Sequence, residues 1–257
     1  MKAIEQYLIE VSLKREQVPS FDEYPFCLDA VRNLSKIKLH PKVTFLVGEN
    51  GTGKSTLLEA IAISLGFNPE GGTRNFCFNT YKAHSALHDY IRLSRGVKRP
   101  QDGFFLRAES FFNLASEIQR LDAEPSFGPP IIDAYGGKSL HEQSHGESFM
   151  ALLLNRFGGK GLYILDEPEA ALSPTRQMAM ISRVHQLVQA KSQFIIATHS
   201  PLILSYPYAR IYQLEEGGIN SIGYKETDHY QLTRDFLNRP EKMLEILLDM
   251  SSGELTD

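Results

Sequence analysis

The amino-acid sequence predicts an α/β fold with a parallel central sheet, an N-terminal antiparallel β region and an inserted helical subdomain. Three observations carry this reading: a glycine-rich loop between an apolar run and a helical pattern, two later apolar runs, and helical periodicity between those runs. Residues 7–13 (YLIEVSL) alternate as a half-exposed strand does. Residues 42–47 (KVTFLV) read as a buried strand that ends at Gly48. Residues 55–65 then place Leu57, Leu58, Ile61 and Leu65 at helical spacing. The runs at 162–165 (LYIL) and 194–197 (FIIA) have the continuous apolar character of strands buried on both faces, and 175–191 reads as the helix between them. Residues 211–214 and 219–224 flank Gly217-Gly218 and predict a hairpin. Residues 71–160 lack the strand and helix alternation. The expected organisation is one domain over 1–257, with its core in 1–70 and 161–257 and an insert of hairpin and helices at 71–160.

The 257 residues are 42% hydrophobic and 23% charged, which excludes disordered, collagen-like and coiled-coil chains. No repeat at a 20 to 50 residue period is visible. The first residues carry no apolar signal region and no run reaches the ~18 apolar residues of a membrane span, so a cytoplasmic protein is expected, with Cys27 and Cys77 as ordinary thiols. The net charge of −4 is unevenly spread. Residues 71–109 hold seven basic against three acidic side chains, while 241–257 hold one lysine against five acids. A basic patch is therefore hidden in an acidic total.

Residues 48–55, Gly-Glu-Asn-Gly-Thr-Gly-Lys-Ser, fit the phosphate-loop pattern between a strand and a helix. Glycines allow successive backbone N–H groups to face one concavity, and the helix N-terminus adds its positive end. Gly48, Gly51, Thr52 and Gly53 are the expected cradle, with Lys54 on the β- and γ-phosphates and Ser55 on Mg²⁺. The strand at 162–165 ends in Asp166-Glu167-Pro168. Carboxylates at that edge suit a metal shell for Asp166 and a general base for Glu167. The plainer reading is an acidic cap on the next helix.

With these placed, further residues fall in the order of the ABC-type ATPases, the superfamily of transporter ATPase subunits, SMC proteins and RecF-like repair ATPases. Residues 144–148 (SHGES) lie 22 residues before Asp166 and resemble the family signature; residues 167–173 (EPEAALS) resemble its D-loop and 197–201 (ATHSP) its switch histidine. The chain is most similar to small stand-alone bacterial ATPases grouped under the AAA name. The phosphate loop resembles the family's version with Asn50 and Thr56 also fitting, and the resemblance implies that these two join the cradle in a P-loop NTPase fold whose two heads sandwich Mg·ATP. Ser144, Gly146 and Glu147 then belong to a contact across the interface, His199 contacts the γ-phosphate, and Lys54 and Glu167 serve hydrolysis. Glu109 stands where transporter subunits carry a glutamine, and His145 and Gln143 replace signature residues. With 87 residues between Thr56 and Ser144, no long coiled-coil arm fits.

The weaker signals are read as expectations. Tyr24 and Phe26 are candidates to stack on a base, or core residues; Arg32 and Asn33 are nucleotide candidates by position. No guanine motif is present, which favours ATP. His141 and His145 spell H-E-x-x-H, the pattern of a zinc protease helix, but glycines on both sides oppose a long helix. His84 and His88 are four apart without an acidic cluster. Arg92, Arg95, Lys98 and Arg99, near Tyr81 and Tyr90, suit a nucleic-acid backbone or a solvated face. Three function classes follow: an ATPase serving a nucleic-acid, repair or defence partner, a transporter's energising subunit, and a non-hydrolysing nucleotide sensor.

Overall fold

The apolar runs lie side by side in one six-stranded sheet. The structure is a computed structural model that describes residues 6–74, 85–125 and 128–248. In chain order the strands are β1 (Leu8–Leu13), β2 (Lys36–Lys38), β3 (Val43–Gly48), β4 (Ile91–Arg95), β5 (Asp102–Arg107), β6 (Gly161–Asp166), β7 (Gln193–Ala197), β8 (Ala209–Glu215) and β9 (Gly218–Ile222). The helices are α1 (Asp29–Arg32), α2 (Lys54–Ser64), α3 (Leu87–Tyr90), α4 (Phe111–Asp122), α5 (His145–Ala151), α6 (Pro174–Gln189), α7 (Pro201–Leu204), α8 (Asp228–Asn238) and α9 (Pro240–Leu248). The large sheet has the order β5-β6-β7-β3-β8-β9, parallel except for β9, and a second sheet has the order β2-β1-β4, antiparallel throughout.

Burial on both faces explains the unbroken apolar runs. Phe45, Tyr163, Leu165 and Ile196 point into a core closed by Leu114, Phe149, Met180 and Val184 of α4, α5 and α6. Their strand neighbours Leu46, Leu162, Ile164 and Ile195 point the other way, onto Leu57 and Ile61 of α2 and Val11 and Ile37 of the small sheet. At about 25 cal/mol per Å² of apolar surface, these two layers supply the main drive to fold.

The expected insert at 71–160 is narrower in the fold. Its early part supplies β4 to the small sheet and β5, with buried Phe104, Phe105 and Leu106, to the edge of the large one. β4 and β5 do not pair with each other, so among the described residues the two form no hairpin; each strand is claimed by a different sheet with an apolar face to cover. The helical part begins at α4, and α5 runs on into a π-helical turn, Leu152–Arg156. The hairpin of β8 and β9 forms as expected. Cys27 is exposed, whereas Cys77, Tyr81, Lys82 and His84 lie outside the described residues.

A buried glutamine joins the two sheets. Gln193, at the start of β7, accepts from the N–H groups of Tyr7 (3.0 Å) and Leu8 (2.9 Å) and donates to the carbonyls of Leu8 (2.8 Å) and His40 (3.0 Å). Gln193→Leu keeps the volume and removes all four bonds. It should lower unfolding free energy by about 3 kcal/mol in urea titration, the cost of unpaired buried donors; a loss below about 1 kcal/mol would show that the sheets are held by apolar packing alone.

Candidate functional site

Parallel strands bring their C-terminal ends to one edge, and the register aligns those ends closely. Leu46 of β3 lies beside Ala197 of β7, Ala197 beside Asp166 of β6, and Asp166 beside Arg107 of β5. The loop after β3 turns at two positions that require glycine. Gly48 has φ 150°, and a Cβ there would lie 2.4 Å from the Leu214 carbonyl oxygen; Gly53, with φ 96°, is the N-cap of α2. The loop is pinned from outside by the Ala30 N–H, which donates to the Thr52 carbonyl at 2.9 Å.

Lys54 opens α2 and is buried. Its Nζ donates to the carbonyls of Gly48 (2.8 Å) and Glu49 (2.7 Å). Burial lowers its pKa, opposed by the carboxylates of Glu167, Asp166, Glu169 and Glu49. Ser55 Oγ donates to Asp166 Oδ1 at 3.0 Å. Asp166 is 6% exposed, and desolvation pushes its carboxyl up to about 6 against the pull of Arg107 and Ser55. Glu167 follows with a left-handed backbone, φ 50° and ψ 53°, which costs a non-glycine residue about 1 kcal/mol. It lines a cleft of about 170 Å³ with Tyr24, Leu28, Asn50, Gly51, Gly53, Lys54, Ser55 and Thr56.

The loop after β7 completes the edge. His199 Nε2 lies 3.5 Å from Glu167 Oε1. The half-buried carboxylate of Glu169 holds this loop, accepting from Thr198 Oγ1 (2.7 Å) and from the His199 N–H (2.5 Å). Burial and the charge of Lys54 lower the His199 pKa, opposed by Glu167.

The remaining expected residues divide. Tyr24 lines the cleft, 63% exposed, whereas Phe26 is buried edge-on against Tyr90. Arg32 faces outward in an ion pair with Asp22 (2.8 Å) and Asn33 reaches the Glu216 carbonyl; neither lines the cleft. Glu109 is exposed, 3.4 Å from Arg107. Ser144 caps α5 in a reciprocal capping box with Glu147, and neither they nor Gly146 line the cleft. Gly146 is buried where a Cβ would meet Arg176 Nη1 at 2.4 Å and the Ala171 carbonyl oxygen at 2.7 Å. His141 belongs to a 3-10 turn and His145 opens α5 after the Ser144 cap, so the two share no helix. Arg92 and Arg95 lie on the edge strand β4, with Lys98 and Arg99 just after it, all exposed; Arg74 is close enough that Arg95 and Arg99, after its own burial, lower its pKa. His88 is half-buried with its Nδ1 3.0 Å from the Ser85 carbonyl oxygen.

Sequence reasoning missed four residues here. Arg107 bridges Glu59 of α2 (2.7 Å) and Asp166 (3.7 Å), Glu169 holds the switch loop, and His229 of α8 touches His199. Arg107 had a signal, a charge closing an apolar strand; His229 had none.

A family model described as an AAA domain matches residues 24–114, and a second, an AAA domain whose description also names an AbiEii toxin and a type IV TA system, matches 141–205. The chain is 25% identical over 252 residues to the energy-coupling factor transporter ATP-binding protein EcfA2 of Methanospirillum hungatei, covering 89% of this chain and 59% of that protein. In fold it resembles MJ1267, an ATP-binding cassette of an ABC transporter, at TM-score 0.52 and 18% identity over 95% of this chain and 99% of that one; the ADP conformation of MJ1267 gives 0.50 over the same shares. The chain's likenesses are thus to AAA domains and to ATP-binding proteins of ABC transporters. Among the described residues no helix is long and apolar enough to cross a membrane.

Arg107→Met should lower stability by about 2 kcal/mol, because two largely buried carboxylates lose their counter-charge. An unchanged denaturation midpoint would show the guanidinium to be dispensable.

Proposed function

We propose that this chain binds and hydrolyses ATP between two copies of itself, and that the resulting closure drives a partner. The observation that carries the reading is the Ser55 to Asp166 bond, which joins the phosphate loop to the strand whose next residue, Glu167, lines the cleft. Gly48, Asn50, Gly51, Thr52, Gly53 and Thr56 form the cradle for the phosphates, and Lys54 exchanges its carbonyl bonds for phosphate oxygens. Tyr24 stacks on the base. Glu167 takes a proton from the attacking water, and His199 donates toward the γ-phosphate. Mg²⁺ suits Ser55 and Asp166: both are hard oxygen donors, and burial raises the Asp166 pKa, a desolvation cost that a cation there would offset. The ion supplies charge neutralisation for the phosphates. Since Ser144, Gly146 and Glu147 lie away from the cleft, the reading has them act on the partner's nucleotide.

The partner process is a nucleic-acid or defence function. The exposed basic side chains along β4 support it, as does the toxin-antitoxin description of the model over 141–205. Energising a transporter is the second reading, favoured by the likeness to EcfA2.

Lys54→Ala should abolish ATP binding in calorimetry and turnover in a phosphate-release assay; unchanged turnover would sink the site. Glu167→Gln should bind ATP, lose at least 100-fold in kcat, and accumulate as a dimer. A variant that stays monomeric in light scattering at saturating Mg·ATP refutes the paired-head reading. Neutralising Arg92, Arg95, Lys98 and Arg99 together should remove salt-dependent DNA binding, measured by fluorescence anisotropy, and leave ATP affinity intact.

A further inference from the structure

His229 lies 30 residues beyond the switch histidine, in a helix that belongs to none of the recognised motifs. Its Nε2 is 2.9 Å from His199 Nδ1, with ring centroids 5.1 Å apart and planes at 53°. We propose that His229 is a positioning residue for hydrolysis: it donates a hydrogen bond to His199 Nδ1 and thereby holds His199 in the tautomer whose proton sits on Nε2, facing Glu167. This rests on the ATPase reading for its consequence, but not for its geometry.

The assignment follows from proton bookkeeping. Two neutral imidazoles in contact share one proton along the bond, so one ring donates and the other accepts. If His199 were the donor, its bare Nε2 would face the Glu167 carboxylate at 3.5 Å, lone pair against anion, and the second N–H of the pair, on His229 Nδ1, would be buried without a partner. If His229 is the donor, the Nε2 proton of His199 faces that carboxylate at 3.5 Å, an attraction in place of a repulsion, while His199 Nε2 and His229 Nδ1 are buried without a hydrogen bond in either arrangement. The charge of Glu167 is therefore what selects the tautomer.

The surroundings keep both rings neutral. His229 sits in the first turn of α8, at the positive end of the helix, and faces His199, Lys54, Asp228 and Glu169; His199 faces Lys54 and Glu167. Burial and the nearby cations outweigh the carboxylates for both. The helix start is itself fixed. Thr227, fully buried, caps α8 by accepting from the Tyr230 N–H at 3.2 Å and donates to the Tyr224 carbonyl at 2.8 Å, while Asp228 accepts from Gln213 at 2.8 Å.

The test uses two substitutions in the full chain. His229→Gln keeps an N–H near the Nε2 position; His229→Met keeps the bulk and removes it. Long-range ¹H–¹⁵N NMR of the nucleotide-free protein should show His199 protonated on Nε2 in the native chain and in H229Q, and a mixture of tautomers in H229M. ATP turnover in H229M should fall about tenfold in kcat with KM unchanged, the low end for outer partners of an oriented imidazole, while H229Q stays within about twofold. An unaltered His199 tautomer in H229M, or H229Q as impaired as H229M, overturns the proposal. Absence of turnover in the native chain would instead overturn the ATPase reading, and the NMR result would still decide the role of His229.

Discussion

The phosphate loop, Asp166 and the loop carrying His199 are placed by the parallel register of four strands. Because β5, β6, β7 and β3 run in one direction, Arg107, Asp166, Ala197 and the residues after Leu46 emerge at a single edge within bonding distance of each other. A slip of one residue in β6 would send Asp166 to the opposite face and break its bond to Ser55. The apolar alternation between the two cores forbids that slip, since it would exchange Tyr163 and Leu165 with Leu162 and Ile164 between differently shaped layers. Packing energy on both faces of the sheet is therefore what fixes the chemistry at its end.

The same edge concentrates charge that the rest of the chain disperses. Lys54, Asp166, Glu59 and Arg107 are buried or nearly so: Arg107 pairs with Glu59 and Asp166, Asp166 accepts from Ser55, and Lys54 donates to the Gly48 and Glu49 carbonyls. Buried ions so close to cancelling give the site a field that the overall charge of −4 does not describe. Removing one member leaves the others uncompensated, so the stability of the edge and its function are bound to the same residues.

What the sequence made legible was contiguous. The phosphate loop, the Asp166-Glu167 step and the Thr198-His199 turn each announce themselves within a few residues, because backbone geometry and strand ends are local properties. Arg32 and Phe26 show the limit of positional reasoning. Both stand upstream of the loop, yet one pairs outward with Asp22 and the other fills the core, while Tyr24 two residues before Phe26 faces the cleft. His141 and His145 spelled a metal motif that Ser144 divides by capping the helix between them. His229 was illegible for a different reason: its meaning exists only once α8 has folded back onto the loop after β7, a tertiary event that no spacing encodes.

Gly146 carries a mechanical consequence. With no side chain, it lets the first turn of α5 rest directly on the Ala171 carbonyl and the Arg176 guanidinium, with less room than a methyl group. Two residues before Ala171, Glu169 grips the backbone of His199. The signature helix and the switch histidine are thus the two ends of one short strut. On the paired-head reading proposed above, a push on Ser144 would pass through these close contacts toward His199 as displacement, without any change of fold.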